Sequence, residues 1–201
     1  MIALMRRRLV MAAIVALILV GANLTTQALK PAIADLRIIE LNATHFYPGS
    51  WPSGHSTAAM SLALCLVLVI GPRLRPLAAL LGAGYAIAVG YALVALGWHL
   101  PSDVFGGYLV AATFTLLGTA ALTVLEARRP SRTARQAAVV SPRALAWTTT
   151  GALGLSGLAA IVQAPGMTWS ALRHPTAIAA GVGIGMLGLA LTAGLALVLR
   201  R

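Results

Sequence analysis

The sequence predicts an all-α, polytopic membrane protein, built as a bundle of six transmembrane helices. Of its 201 residues, 59% are hydrophobic and only 9% are charged, and the mean hydropathy is +0.89. These values lie far from those of a soluble domain. In addition, uncharged apolar runs of roughly 18 or more residues, long enough to cross a bilayer as a helix, fill most of the chain.

Glycine and proline residues separate the apolar runs and mark where each helix starts or stops. Such breaks include Gly71-Pro72, Pro101, Pro130 and Pro165-Gly166. The predicted spans are residues 9–29, 53–70, 77–97, 104–125, 144–162 and 176–199. We divide the chain into a four-helix core at 1–126, a basic cytoplasmic loop at 127–143 and a C-terminal helix pair at 144–201 that completes the bundle.

The net charge of +11 raises nucleic-acid binding as a first possibility, but the distribution of the basic residues indicates membrane topology instead. Twelve of the fifteen basic residues fall on one side if the N-terminus is cytoplasmic. The other side keeps Lys30, Arg37 and Arg173. We therefore expect a multi-pass protein of the cell (plasma) membrane with both termini in the cytoplasm and no nucleic-acid partner.

The N-terminal Arg6-Arg7-Arg8 and the apolar stretch after it also fit a secretory signal peptide. No convincing small-x-small cleavage site precedes Lys30, so we interpret this segment as an uncleaved first helix. The single cysteine, Cys65, lies in the second predicted span and can form no intramolecular disulfide. We expect it to serve in packing.

Lys30 and Arg37 are the only cations of the first outer loop. They lie seven positions apart, about two turns if the intervening residues are helical, so both could converge on one phosphate. A structural alternative stays open at this point. Lys30 could simply extend to the membrane surface from the end of the first span, and Arg37 could pair with Asp35 or Glu40.

The stretch Trp51-Pro52-Ser53-Gly54-His55 precedes the second span. Pro52 suits a first helical turn, and Gly54 lets the backbone come close to a ligand. Free backbone N–H groups at a helix start form an anion site. The alternative is an ordinary capped helix start with a histidine at the membrane surface.

His99 and Asp103 lie between the third and fourth spans, on either side of Pro101. We expect His99 to end the third helix and Asp103 to lie in the first turn of the fourth. There the carboxylate can accept a hydrogen bond from one imidazole nitrogen and leave the other free as a nucleophile. Alternatively, Asp103 is only an acid at a helix start. We expect the following Gly106-Gly107 to serve close packing.

Both loops are expected on the outer face, because two spans separate them. Lys30 with Arg37, P-S-G-H at 52–55, and His99 with Asp103 together resemble the type 2 phosphatidic acid phosphatase (PAP2) family. That family's motifs are K-x6-R-P, P-S-G-H and S-R-x5-H-x3-D. The resemblance runs from Lys30 to about Gly107.

The resemblance implies a PAP2-like helix core and a phosphatase that needs no metal ion or cofactor. His99 would attack phosphorus to form a phosphohistidine, Asp103 would orient His99, and His55 would protonate the leaving oxygen. The resemblance also implies four residues that bind the substrate phosphate: Lys30, Arg37, Ser53 and Gly54.

The acidic residues independently argue against a two-metal phosphatase. The chain has four of them, and Glu126 belongs to the predicted inner side. The other three, Asp35, Glu40 and Asp103, do not form the carboxylate cluster that such an enzyme needs. We therefore expect no metal site.

The chain departs from the family pattern in three places. Leu93 and Ala92 stand where the third motif has arginine and serine, and Ile38 stands where the first motif has its proline. Removal of one charged donor from a preorganised site typically lowers the rate by about 10²–10³, so weakened activity is an open alternative. Moreover, only one predicted span precedes Lys30, and we expect the last two spans to fill the space that is vacated.

The leading hypothesis is an integral-membrane phosphatase for a lipid phosphate or diphosphate of the outer leaflet. An undecaprenyl (polyprenyl) diphosphate or phosphatidylglycerol phosphate would be a suitable substrate. The alternative is a PAP2-like protein without catalysis that binds a lipid head group, which Leu93 favours. A small-solute transporter is least favoured, because no ionisable residue is predicted at mid-bilayer depth.

Overall fold

The computed structural model describes residues 9–34, 50–128 and 175–199. Within these ranges the chain forms helices and no strands. The helices are α1 (Leu9–Ala34), α2 (Gly54–Val69), α3 (Arg75–Ala95), α4 (Pro101–Arg128) and α5 (Pro175–Val198), and a short 3-10 turn (Pro72–Leu74) precedes α3. The predicted all-helical fold is confirmed.

Four of the described helices, α1, α3, α4 and α5, are long and apolar enough to cross a bilayer. Their apolar segments contain 21 to 25 residues with mean hydropathies of 1.8 to 2.3. The chain is therefore a membrane protein. The remaining helix, α2, is a shorter apolar helix of 16 residues, about 24 Å in length. The predicted span at 144–162 lies outside the described residues, as does most of the predicted basic loop.

Helix α2 lies at the centre of the bundle, although it is the shortest of the described helices. It packs against each of α1, α3, α4 and α5, which is why its sequence is apolar on all sides. The main hydrophobic core includes five of its residues, all at most 2% exposed: Ala59, Met60, Ala63, Leu64 and Val67. A second, smaller core joins α2 to α1 and α4 through Cys65, which is buried there as expected.

Helix α5 packs mainly against α3 and also contacts α2 and α4. Its Ile184 is 1% exposed and meets Val104 and Tyr108 around Gly90, where a side chain would find no room. The Tyr91 hydroxyl donates to the carbonyl oxygen of Gly181 over 2.6 Å. The last helix of the chain thus lies against the core formed by the earlier helices.

Three predicted helix boundaries are wrong, and the first is the end of the third helix. His99 does not end the third helix, because α3 stops at Ala95 and Gly97 follows with φ of 69°, a conformation that glycine adopts readily. The amides of Gly97 and Trp98 donate to the carbonyls of Val94 and Leu93 over 3.1 and 3.0 Å. This pattern is the Schellman motif, a common helix ending.

At the start of α2, Pro52 lies before the helix rather than in its first turn. Ser53 is the N-cap, and its side-chain oxygen accepts a hydrogen bond from the amide of Ser56. Helix α1 also differs from its prediction, since it continues through Pro31 to Ala34 instead of ending at residue 29. Lys30 is therefore part of a helix and has a defined direction.

Gly106 and Gly107 lie where α4 meets the turn before α2. A Cβ atom on Gly107 would lie 2.7 Å from the carbonyl oxygen of Ser53 and 2.9 Å from the amide nitrogen of Thr57. On Gly106 it would lie 2.6 Å from the indole nitrogen of Trp51. The structure confirms that this glycine pair allows close packing.

We predict that Gly107→Ala lowers the free energy of unfolding by about 1–3 kcal/mol, because the added methyl group would meet backbone atoms that cannot rotate away. Thermal unfolding of the detergent-solubilised protein measures the change. Gly194→Ala on α5 is the matched control, since no described atom lies within 4 Å of the Cβ it adds and alanine favours helix. Equal melting temperatures for the two variants would contradict this packing.

Candidate functional site

Hydrogen bonds join the turn before α2 to the start of α4. The amide of Ser53 donates to the carbonyl oxygen of Asp103 over 2.9 Å. The hydroxyl of Ser50 donates to Oδ2 of the same residue over 2.8 Å, although 53 positions separate the two in the sequence. Asp103 has no exposed surface. The turns that carry P-S-G-H and His99 are therefore in direct contact.

His99 lies beside Asp103, with Nδ1 3.2 Å from Oδ2. A carboxylate only accepts hydrogen bonds, so this contact assigns the ring proton to Nδ1 and leaves the lone pair of Nε2 available. The carboxylate also accepts from the amide of Leu100 over 3.1 Å, as an acid at the third position of a helix does in a capping box. Asp103 thus stabilises the start of α4 and holds His99 as well.

The N-terminus of α2 leaves free donors. The Ser53 carbonyl accepts from the Thr57 amide over 3.0 Å and from its hydroxyl over 2.9 Å. The amides of Gly54 and His55 donate to no atom of the described residues. Free N–H groups in the first turn carry the positive end of the helix dipole and attract anions.

Helix α1 brings a cation to this helix start. Lys30 Nζ lies 3.8 Å, and Gln27 Nε2 lies 3.4 Å, from the place that a Cβ atom on Gly54 would occupy. One turn earlier on α1, the hydroxyls of Thr26 and Thr57 are 3.0 Å apart and hydrogen-bonded, which ties α1 to α2. An ammonium group and an amide group therefore lie beside the space that Gly54 leaves open.

His55 is exposed next to the turn that carries His99. Its ring centroid lies 6.4 Å from that of Trp98, with the ring planes tilted by 51°. Trp98 is 60% exposed. The amides of Trp98 and His99 both donate to the carbonyl oxygen of Leu93, over 3.0 and 3.3 Å. The turn after α3 thus sets the positions of Trp98 and His99.

The contacts link six of the seven predicted site residues. Lys30 lies beside Gly54, which adjoins Ser53 and His55, and Ser53 is bonded to Asp103, which holds His99. Arg37 lies outside the described residues. Ser53 itself is fully buried and caps α2, and its predicted phosphate contact stays a prediction, as do the catalytic roles of the two histidines and Asp103.

Ser50 and Gln27 were not found by the sequence analysis. Gln27 precedes Lys30 by three positions on one helix, so a helical reading past residue 29 would have placed both on the same face. The apolar periodicity of the sequence does not include Ser50, and only its nearness to the P-S-G-H stretch marks it. In the described part of the chain, no three His, Cys, Asp or Glu residues group to hold a metal ion.

A family model described as the PAP2 superfamily matches residues 7–126, well over half of the chain. The chain belongs to the PAP2 superfamily. This confirms the resemblance that the motifs indicated. The matched segment contains α1 to α3, all of α4 except its last two residues, and both motif-bearing turns. No curated protein and no protein of solved structure matches the chain.

The PAP2 superfamily generally comprises phosphatases, and the chain has apolar helices long enough to cross a membrane. At the level of the family, the protein is therefore of the membrane phosphatase type. Helix α5 lies beyond the matched residues and still packs against α3. The C-terminal segment described in the structure is therefore an addition to the family core that is in contact with it.

We predict that Gly54→Ala keeps the fold but weakens phosphate binding by about tenfold or more, which is at least ~1.4 kcal/mol. The new methyl group would make only ordinary contacts, at 3.4 Å or more, with side chains of α1. It would nevertheless fill the space between Lys30 and the free amides. Titration of inorganic phosphate, followed by ³¹P NMR line width, measures the affinity, and Gly194→Ala is the control. Unchanged affinity would show that phosphate does not bind at this helix start.

Proposed function

We propose that this protein hydrolyses a lipid phosphate or diphosphate, without a metal ion, through a phosphohistidine intermediate. The supporting observation is the set of contacts that joins the His99–Asp103 pair to the free amides at Gly54 and to Lys30. An imidazole oriented by a carboxylate is a nucleophile. Amides and an ammonium group at a helix start stabilise the charge on a transferring phosphoryl group.

In the proposed reaction, Nε2 of His99 attacks phosphorus, and the bond between phosphorus and the lipid oxygen breaks. The proton on Nδ1 stays directed at Asp103, whose carboxylate stabilises the positive charge of the phosphorylated ring. His55 donates a proton to the leaving oxygen. It then accepts a proton from water, which attacks the phosphohistidine and releases inorganic phosphate.

Charge and exposure support the assignment of these roles. His55 is exposed, so it can exchange protons with water between the two steps. The phosphate ligands in this proposal are Lys30, the amides of Gly54 and His55, Ser53, and Arg37 from outside the described residues. Phosphoryl transfer depends mainly on such positioning and charge stabilisation.

The substrate that we propose is a lipid of the outer leaflet of the cell membrane, such as undecaprenyl diphosphate or phosphatidylglycerol phosphate. By the positive-inside rule, the distribution of the basic residues supports cytoplasmic termini and a P-S-G-H turn on the outer side. An exposed Trp98 beside His55 is typical of a side chain at the membrane surface.

We predict that the purified protein releases phosphate from these lipids in the presence of EDTA. His99→Ala should lower kcat by on the order of 10³ or more, because the nucleophile is lost, and His55→Ala by roughly 10²–10⁴, because the general acid is lost. A colorimetric phosphate assay measures both. Thr113→Ala is a control, since this exposed hydroxyl bonds only within its own helix.

Equal phosphate release by wild type and His99→Ala would contradict the enzymatic proposal. The same assay in sealed vesicles of known protein orientation tests which side of the membrane carries the site. A water-soluble short-chain substrate should be hydrolysed when it is added on the side opposite the termini. Hydrolysis only after lysis would place the site on the cytoplasmic side.

A second candidate function is binding of a lipid head group without catalysis. Leu93 favours it, because it stands at the position of the motif arginine, is 5% exposed and uses its carbonyl to form the turn after α3. In that case wild type and His99→Ala would bind phospholipid vesicles equally and neither would release phosphate. We expect instead that the wild type releases phosphate. Vesicle co-flotation measures lipid binding and a phosphate assay measures turnover, so the two measurements together distinguish binding alone from catalysis.

A further inference from the structure

The side chain of Ser50 touches the carboxylate that holds His99. Its hydroxyl lies 2.8 Å from Oδ2 of Asp103, and the residue is 9% exposed. Because a carboxylate is only an acceptor, Ser50 is the donor in this bond. Ser50 stands outside the three motifs of the family pattern and has no role in the mechanism described above.

One oxygen of Asp103, Oδ2, is bonded to donors from two different turns. Ser50 donates at 2.8 Å, the Leu100 amide at 3.1 Å, and Nδ1 of His99 lies at 3.2 Å. The Leu100 amide and His99 belong to the same turn as the carboxylate. Ser50 approaches from the other turn, the one that leads into α2, and makes the shortest of the three bonds.

The direction of this bond matters because a carboxylate can rotate about its bond to Cβ. The Leu100 amide and Nδ1 of His99 both come from the segment that leads into α4, as does the Ser102 hydroxyl, 3.4 Å from Oδ1. A donor from a second element fixes the plane of the group and thereby the direction in which Oδ2 meets the imidazole. Hydrogen bonds to ionised groups are the stronger ones, so a buried serine suits this role.

We propose that Ser50 is a positioning residue for His99, acting through the Asp103 carboxylate. This inference rests on the proposed function, in which Nε2 of His99 is the nucleophile. Ser50 does not contact the phosphate. Loss of its hydroxyl leaves the phosphate ligands in place but lets the carboxylate, and with it the imidazole, turn away from the line of attack. A misplacement of this kind lowers the rate by about tenfold to a hundredfold.

The test compares Ser50→Ala and Ser50→Thr with a matched serine control. Ser61 is fully buried on α2, and its hydroxyl has no partner in the described structure, so Ser61→Ala reports what loss of a buried hydroxyl does by itself. For each variant, kcat and KM are measured on a lipid phosphate, together with the melting temperature. ¹⁵N NMR of histidine-labelled protein, with the His99 signal assigned from His99→Gln, reports which ring nitrogen carries the proton.

We expect Ser50→Ala to lower kcat by about tenfold to a hundredfold with KM within about twofold of wild type. Ser50→Thr, which keeps the hydroxyl, should restore most of the rate, and Ser61→Ala should match wild type. The His99 signal should show one tautomer in wild type and a mixture in Ser50→Ala. If Ser50→Ala fails to fold, Ser50→Cys, a weaker donor of similar size, gives the same comparison.

The inference is overturned if Ser50→Ala turns over as fast as Ser61→Ala, or if its His99 tautomer is unchanged. It is also overturned if Ser50→Thr is as slow as Ser50→Ala at an equal melting temperature, because the hydroxyl would then be irrelevant. Absence of turnover in wild type would instead contradict the proposed function. The NMR comparison would still decide whether Ser50 orients the Asp103–His99 pair.

Discussion

The candidate site depends on the attachment of Asp103 to the turn before α2. Its backbone carbonyl accepts from the Ser53 amide and its carboxylate accepts from Ser50 and His99. A fully buried carboxylate is tolerated only where several donors surround it. The hydrogen bonds that satisfy Asp103 therefore also hold the two motif-bearing turns together. One set of interactions both stabilises the site and orients His99.

The arrangement of the helices follows from the central position of α2. A helix surrounded by four neighbours needs small residues at the closest contacts, and Gly107 of α4 provides one where backbone atoms of α2 and its N-cap approach. Helix α1 extends beyond the start of α2 and brings Lys30 alongside Gly54. The first turn of the short central helix therefore lies beside side chains of the longer α1.

The departure at Leu93 has a structural consequence. The residue is buried, and its carbonyl oxygen collects the amides of Trp98 and His99, so the turn keeps its shape without the motif arginine. The shape of the turn that carries His99 is set by main-chain hydrogen bonds and by Gly97, which the substitution leaves intact. Among the described side chains, the positive charge near the helix start comes from Lys30 of α1.

The sequence by itself determined the membrane bundle, the approximate helix positions and most of the candidate site. A bilayer offers the backbone no hydrogen-bond partners outside the helix, so long apolar runs and the breaks between them are strong signals. The spacing of the motifs indicated which histidines, cations and acidic residues belong to one site. Only the tertiary structure decided that α3 stops before His99, that Lys30 is helical, and that Ser50 and Gln27 reach the site. The first two depend on the backbone conformation at Gly97 and Pro31. The positions of Ser50 and Gln27 depend on contacts between residues far apart in the chain, and no pattern within one segment encodes the packing that brings them together.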